Sequence, residues 1–289
     1  MSAALTTSGL GHRYGRHHWG LRDCSLTIEA GSVVALIGPN GSGKTTLLNM
    51  AAGLLQPTAG TVEVDAAAPG QRLDRIGYVA QDAPLWPRLR VTDILEIGAC
   101  MNPRFDRPFA EQRVRDLDVP LRSRISNLSG GQRAQVALTL VLAKRPDLLL
   151  LDEPLANLDP VARRQFLASM LAGCADTGVA VVFSSHVVAE LERICDHLVV
   201  LRGGRVQIAG EIDELRANHR LVTGPEGWPE RTGVPVISYT NAGRRSVALV
   251  QMDSAVLTGP GFDEVQPTFD ELAMGYLTAQ APQLEGVPA

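Results

Sequence analysis

Gly38-Pro39-Asn40-Gly41-Ser42-Gly43-Lys44-Thr45-Thr46 brings together the residue types that polyphosphate chemistry requires. Glycines let successive backbone N–H groups converge on one phosphate at the start of a helix, where the helix dipole favours anions. Lys44 supplies a mobile point charge to the outer phosphates, and the Thr45 hydroxyl is suited to a Mg2+ shell. A second run, Leu148-Leu149-Leu150-Leu151-Asp152-Glu153, ends an all-apolar stretch on two carboxylates. A strand of that composition is buried on both faces of a parallel sheet and delivers Asp152 at its C-terminal edge, where ligands sit in open α/β sheets. Asp152 then serves the Mg2+ shell through water. Glu153 is placed to orient or deprotonate an attacking water.

Such residues need rigid elements on either side. Residues 33–37 read as a short buried strand before the glycine loop, and 44–53 as the helix after it, which is the context that gives the loop its meaning. Residues 21–28 and 77–79 are further strands. Helices are expected at 91–99 and 110–117, separated by Asn102-Pro103 and Pro108. Another, at 130–144, ends because Pro146 cannot continue it. Helix 161–172, strand 179–184 and helix 187–195 repeat the β-α-β alternation, and Gly203-Gly204 marks a hairpin between 198–201 and 205–208. The expected class is α/β, with a helical insertion at about 88–144 and a cover of antiparallel strands. After residue 215 the pattern changes. Turn clusters at 224–227 and 259–261 surround strands at 234–239 and 246–251, and a Thr268/Glu271 capping box opens a helix through 277. The division is therefore 1–215 and a small α+β region, 216–289, whose tail from 278 reads as frayed.

Leu128-Ser129-Gly130-Gly131-Gln132 narrows the choice among phosphate-loop proteins, because it resembles the signature motif of ATP-binding-cassette (ABC) ATPases. The remaining motifs of that family follow in order over roughly residues 5–215. Tyr14 matches the aromatic that stacks on adenine. Gln81 matches the loop glutamine that contacts Mg2+ and water and links core to insertion. Ala156-Asn157-Leu158-Asp159 resembles the loop crossing the dimer interface, with Asp159 as its acid; the family often has Ser where Ala156 stands. His186 matches the histidine that contacts the γ-phosphate, and Glu153 is the family's hydrolytic base.

The resemblance implies a RecA-like P-loop NTPase core with an antiparallel β subdomain. It implies ATP and Mg2+ as ligands, with Thr45, Gln81 and Asp152 toward the metal. It also implies a second ABC ATPase subunit, identical or not, so that two nucleotides lie between Lys44 of one chain and Ser129 and Gly131 of the other. A separate transmembrane permease would dock between core and insertion, near residues 82–106. There Leu85 and Trp86 read either as anchors or as local packing. The run Pro267-Thr268-Phe269-Asp270-Glu271-Leu272 resembles the tail of ABC-2-type drug and antibiotic exporter ATPases. Export of a hydrophobic or amphipathic compound is the resulting expectation, with an importer ATPase or a soluble non-transport cassette as alternatives.

Composition agrees with that frame. The 289 residues carry 27 Lys+Arg against 31 Asp+Glu, a net charge of −4, and no basic stretch dense enough to track nucleic acid. Only Lys44 and Lys144 are lysines. No apolar run approaches the roughly 18–20 residues of a membrane helix, so another polypeptide must cross any membrane this one serves. The N-terminus lacks the profile of a signal peptide, and Cys24, Cys100, Cys174 and Cys195 are too scattered for a metal or disulfide framework. The expected location is cytoplasmic, peripheral to the cell membrane. His12, His17 and His18 lack a carboxylate at ligand spacing and read as an exposed loop.

Overall fold

Strands β1 (Ala3–Tyr14) and β2 (His18–Glu29) form an antiparallel hairpin, after which β3 (Val33–Ile37) enters a second sheet. The computed structural model describes residues 2–16, 18–82, 84–175, 177–188, 191–232, 234–251 and 261–279. Helix α1 (Lys44–Ala51) follows the glycine loop and stops short of Gly53, whose φ of 74° suits glycine. Strand β4 (Ala59–Val64) returns to β1 and completes a three-stranded sheet ordered β2-β1-β4. Sequence reading missed β1 and β4 because their glycines look like turns. In fact a Cβ on Gly60 would lie 2.3 Å from the backbone of Gly9, so glycine there permits close strand approach.

After β5 (Ile76–Val79) come the insertion helices α2 (Val91–Met101), α3 (Arg107–Asp116) and α4 (Gly130–Ala143). Helix α3 begins earlier than expected. Pro108 sits in its first turn, where no N–H partner is needed, and the Asp106 carboxylate accepts from Phe109 N at 3.0 Å. The three helices bury their own cluster, including Val91, Ile94, Val114 and Val136. Lys144, at the end of α4, donates to Ile76 O on β5 at 2.7 Å, and burial pulls its pKa down. It ties the insertion to the core.

Strand β6 (Leu148–Asp152), helix α5 (Pro160–Cys174), β7 (Ala180–Ser185), β8 (His197–Arg202) and β9 (Arg205–Glu211) complete the core. The six-stranded sheet runs β5-β6-β7-β3-β8-β9, parallel except for the last pair. Alternation along each strand divides the core into two layers. Leu149, Leu151, Ala35 and Ile37 join one cluster with α4 and α5; Leu148, Leu150, Val34 and Leu36 join another with α1 and the three-stranded sheet. Of the helix expected at 187–195, positions 189–190 lie outside the described residues, and 191–194 form turns closed by Leu191 N to Val188 O and Ile194 N to Leu191 O.

The C-terminal region contains α6 (Ile212–Ala217), β10 (His219–Pro225), α7 (Trp228–Thr232), β11 (Ser238–Ala242), β12 (Arg245–Gln251), β13 (Asp263–Val265) and α8 (Phe269–Thr278). Its antiparallel sheet runs β11-β12-β10-β13. The strand expected at 234–239 begins only at Ser238, because Pro235 cannot donate to a ladder; Val234 and Val236 pack beside Trp228 instead. Part of the tail read as frayed, 280–289, lies outside the described residues. Helix α8 sends Phe269, Leu272 and Ala273 into the central cluster and so joins this region to the core.

His219 is buried behind α8. Its Nδ1 donates to Leu215 O at 2.6 Å, which fixes the neutral tautomer, and Nε2 accepts from the Tyr276 hydroxyl at 2.8 Å. Burial lowers its pKa from the ordinary 6.5, against the opposing effect of the Leu215 carbonyl. A His depressed in the fold contributes stability that is complete above the unfolded value and lost as pH falls below it. The melting temperature of the wild type should therefore drop more than that of His219→Gln between pH 7.5 and 5.5. Parallel pH curves for the two proteins would contradict this.

Candidate active site

Strands β3, β6 and β7 are neighbours running in one direction, so Gly38, Asp152 and Ser185 leave the sheet at the same edge. Beyond β3 the loop folds tightly before α1. A Cβ on Gly38 would lie 2.3 Å from Ser42 Oγ and 2.5 Å from Leu201 O, and one on Gly43 would lie 2.5 Å from Gly20 O. Gly41 and Gly43 have φ of 79° and 106°, open to glycine and strained for other residues. Pro39 and Asn40 are exposed at the turn, Thr45 is exposed in the first turn of α1, and Lys44 is buried. The three ammonium donors of Lys44 meet Gly38 O at 2.6 Å, Pro39 O at 3.4 Å and Glu153 Oε1 at 3.1 Å.

Glu153 is only 9% exposed and holds a φ of 46° directly before Pro154. A non-glycine residue in that left-handed region costs about 1–2 kcal/mol, a form of strain that clusters at functional sites. Its second oxygen, Oε2, accepts from His186 Nδ1 at 2.6 Å. A carboxylate thus stands between a loop ammonium and an imidazole, within reach of any phosphate the loop holds. It can take a proton from water there. Beside it, Asp152 is buried, and its Oδ1 accepts from Ser184 Oγ at 2.8 Å. Tyr78 lies close enough to feel that charge: burial first, and Asp152 second, push its phenol up to about 12.

Sequence reading did not single out Ser184. The signal was its place at the end of an apolar strand two residues before His186, but only the sheet register sets it opposite Asp152. Ser185 also contributes, since Val187 N donates to its hydroxyl at 2.9 Å and so closes the turn that carries His186.

The residues present fit a Mg2+-bound polyphosphate. Ser42 Oγ is buried in the loop without a hydrogen-bond partner, which leaves one polar group aimed at no protein atom. Thr45, Gln81 and Asp152 each carry a side-chain oxygen of the kind Mg2+ takes.

Other expected residues are placed as follows. The Tyr14 hydroxyl is 3.2 Å from Thr46 Oγ1, and a Cβ on Gly20 would fall 2.4 Å from the Tyr14 ring, so the ring sits close against a glycine beside the loop. Ser129 and Gln132 close a reciprocal capping box on α4, with Gln132 N to Ser129 Oγ at 3.1 Å and Ser129 N to Gln132 Oε1 at 3.0 Å. Ser129 and Gly130 are exposed, and Gly131 lies against Ala162. Asp159 Oδ1 caps α5, accepting from Val161 N and Ala162 N at 2.9 and 3.0 Å. Gln81 is exposed in a cleft of about 290 Å3 shared with Gly130, Arg133, Pro154 and Asn157. The signature helix and the glutamine loop therefore border one cleft, while Lys44, Glu153 and His186 form a contact network of their own.

A larger groove of about 510 Å3 separates core from insertion, with Leu73, Tyr78, Leu85, Trp86, Met101 and Lys144 on its walls. Leu85 packs against both neighbouring clusters, whereas Trp86 and Met101 are 60% and 73% exposed. Among the described residues no helix is long and apolar enough to cross a membrane.

Comparison with known proteins matches residues 21–156 to the family described as ABC transporter. The uncharacterized ABC transporter ATP-binding protein YxlF of Bacillus subtilis is 32% identical over 78% of this chain and 80% of its own length. The sulfate/thiosulfate import ATP-binding protein CysA of Burkholderia pseudomallei is 33% identical over 96% and 82%. A solved structure, described as the ATP binding subunit of an ABC transporter, superposes with a TM-score of 0.66 at 28% identity, over 74% of this chain and 92% of that one. These relatives correct the expectation of export. Those named for a direction are import proteins, including ones for molybdenum, Fe(3+) ions and thiamine at 35–40% identity. The physical reason for the error is visible in α8. Thr268 N donates to Glu271 Oε2 at 2.8 Å and Glu271 N to Thr268 Oγ1 at 3.2 Å, so Pro267–Leu272 is a helix-opening box that carries no information about direction.

Proposed function

The chain belongs to the ATP-binding subunits of ABC transporters and is an ATPase, and from that premise we propose that it powers import through a separate transmembrane permease. The observation that carries the hydrolytic reading is the Glu153 carboxylate, gripped by Lys44 at 3.1 Å and by His186 at 2.6 Å beside a loop built for phosphate. Relatives named as import proteins support the direction.

In this reading Lys44 and the loop N–H groups hold the β- and γ-phosphates. Water attacks the γ-phosphorus, the bond to the β-bridging oxygen breaks, and the proton released by the water passes to Glu153. His186 keeps that carboxylate oriented. Mg2+, held by Thr45 and Asp152 with Gln81 nearby, would neutralise phosphate charge. The protein's share is positioning and electrostatics, since phosphoryl transfer asks for little covalent chemistry. The helix end at Ser129 and Gly131, with Ser129 and Gly130 exposed, serves the nucleotide of a second ATPase subunit, with Asp159 at that interface. Tyr14 supplies a face for the adenine. The groove beneath Trp86 receives the permease, which places the ATPase at the cytoplasmic face of the membrane.

Glu153→Gln should retain ATP binding while kcat falls at least about 100-fold, in keeping with the loss of a general base. Wild-type turnover in that variant would remove Glu153 from the role. Direction is tested on the permease complex in sealed vesicles bearing the ATPase outside. An importer's turnover should be stimulated by ligand-loaded binding protein enclosed in the lumen, opposite the ATPase. Stimulation by solute added only on the ATPase side would overturn import.

A further inference from the structure

We propose that Ser184 is a positioning residue that couples the metal-side carboxylate to the hydrolytic one. The inference rests on the ATPase reading of the site and deepens it. Ser184 is fully buried in β7, in register with Asp152 on β6. A hydroxyl has one proton to give, and this one goes to Asp152 Oδ1 at 2.8 Å. The same oxygen accepts from the backbone N–H of Glu153, also at 2.8 Å. One atom therefore holds two consecutive residues of the neighbouring strand, one by its side chain and the other by its main chain.

The geometry makes the clamp consequential. Strand β6 stops at Asp152, and at Glu153 the chain takes a φ of 46° that an L side chain seldom adopts. Local sequence offers no glycine to ease that turn, and Pro154 follows at once. A bond to the Glu153 amide from a fixed strand holds the strained residue, and that turn aims the carboxylate at Lys44 and His186. The second bond stops the Asp152 carboxylate from rotating. Two residues after Ser184, just past the end of β7, His186 takes hold of Glu153 from its other end. The end of β7 thus sets both carboxylates, so that a metal held by one and a water held by the other would be positioned together. An apolar residue at 184 would leave a buried N–H and a buried carboxylate oxygen each short of a partner.

The coupling gives a signature that simple destabilisation would not. Outer-shell partners of metal ligands typically change metal affinity or activity about 10–100-fold when removed. Ser184→Ala should lower kcat by at least about tenfold with KM for ATP within about twofold, and should weaken Mn2+ binding to the ADP-loaded protein, read by electron paramagnetic resonance, by about tenfold. Ser184→Thr keeps a hydroxyl and should restore both. Ser184→Cys, with a weaker donor, should fall between them and serves as the test if the alanine variant does not fold. The inference is overturned if Ser184→Ala, or Ser184→Cys in its place, lowers only the melting temperature and leaves kcat and Mn2+ affinity unchanged. It is also overturned if Ser184→Thr is as impaired as Ser184→Ala. Glu153→Gln run alongside separates the two levels. If that variant hydrolyses normally the site reading itself fails, whereas if it is inactive and Ser184→Ala is normal, only the clamp is wrong.

Discussion

A carboxylate taken out of water needs partners, and the Glu153–Lys44 pair is the contact on which the rest of the architecture bears. Breaking a buried ion pair by removing one member costs about 3–5 kcal/mol, because the remaining charge stays desolvated. The partners come from three segments far apart in sequence: the loop after β3, the end of β6 and the turn after β7. They meet because these strands are parallel neighbours in the sheet, and the sheet can be parallel because its strands are apolar on both faces. Packing, topology and site are one constraint seen at three scales.

Around that edge the molecule divides its labour. The glycine loop and α1 present donors, β6 and β7 present acids and an imidazole, and the insertion presents an exposed helix end and an apolar groove. Lys144 anchors the insertion to β5 through a half-buried bond at one wall of the groove. The C-terminal region keeps its own sheet around Trp228, yet α8 reaches into the central cluster, so this region is packed onto the core rather than tethered beside it.

Much of this was legible because it is local. The glycine loop announces itself by composition, β6 by its unbroken apolar run, and the insertion helices by the prolines that separate and end them. What depends on the register between strands was hidden. Ser184 looks like an ordinary polar residue at a strand end until Asp152 lies opposite it. Gly20 is unremarkable in sequence, but it leaves the space in which Tyr14 lies. Strand β1 was obscured by glycines that serve close packing, and the expected strand at 234–239 failed at Pro235. The exporter reading failed for a related reason: a capping box is required by helix ends in general, so its residues say nothing of transport direction.

In the proposed mechanism the loop and acids of one chain work with the signature helix of another. Mixing a Ser129→Arg chain with a Lys44→Ala chain tests it most directly, since each should be inactive alone while a mixed pair would keep one intact site. The account predicts that the mixture recovers ATPase activity well above the sum of the separate variants. Activity equal to that sum at every ratio would contradict it.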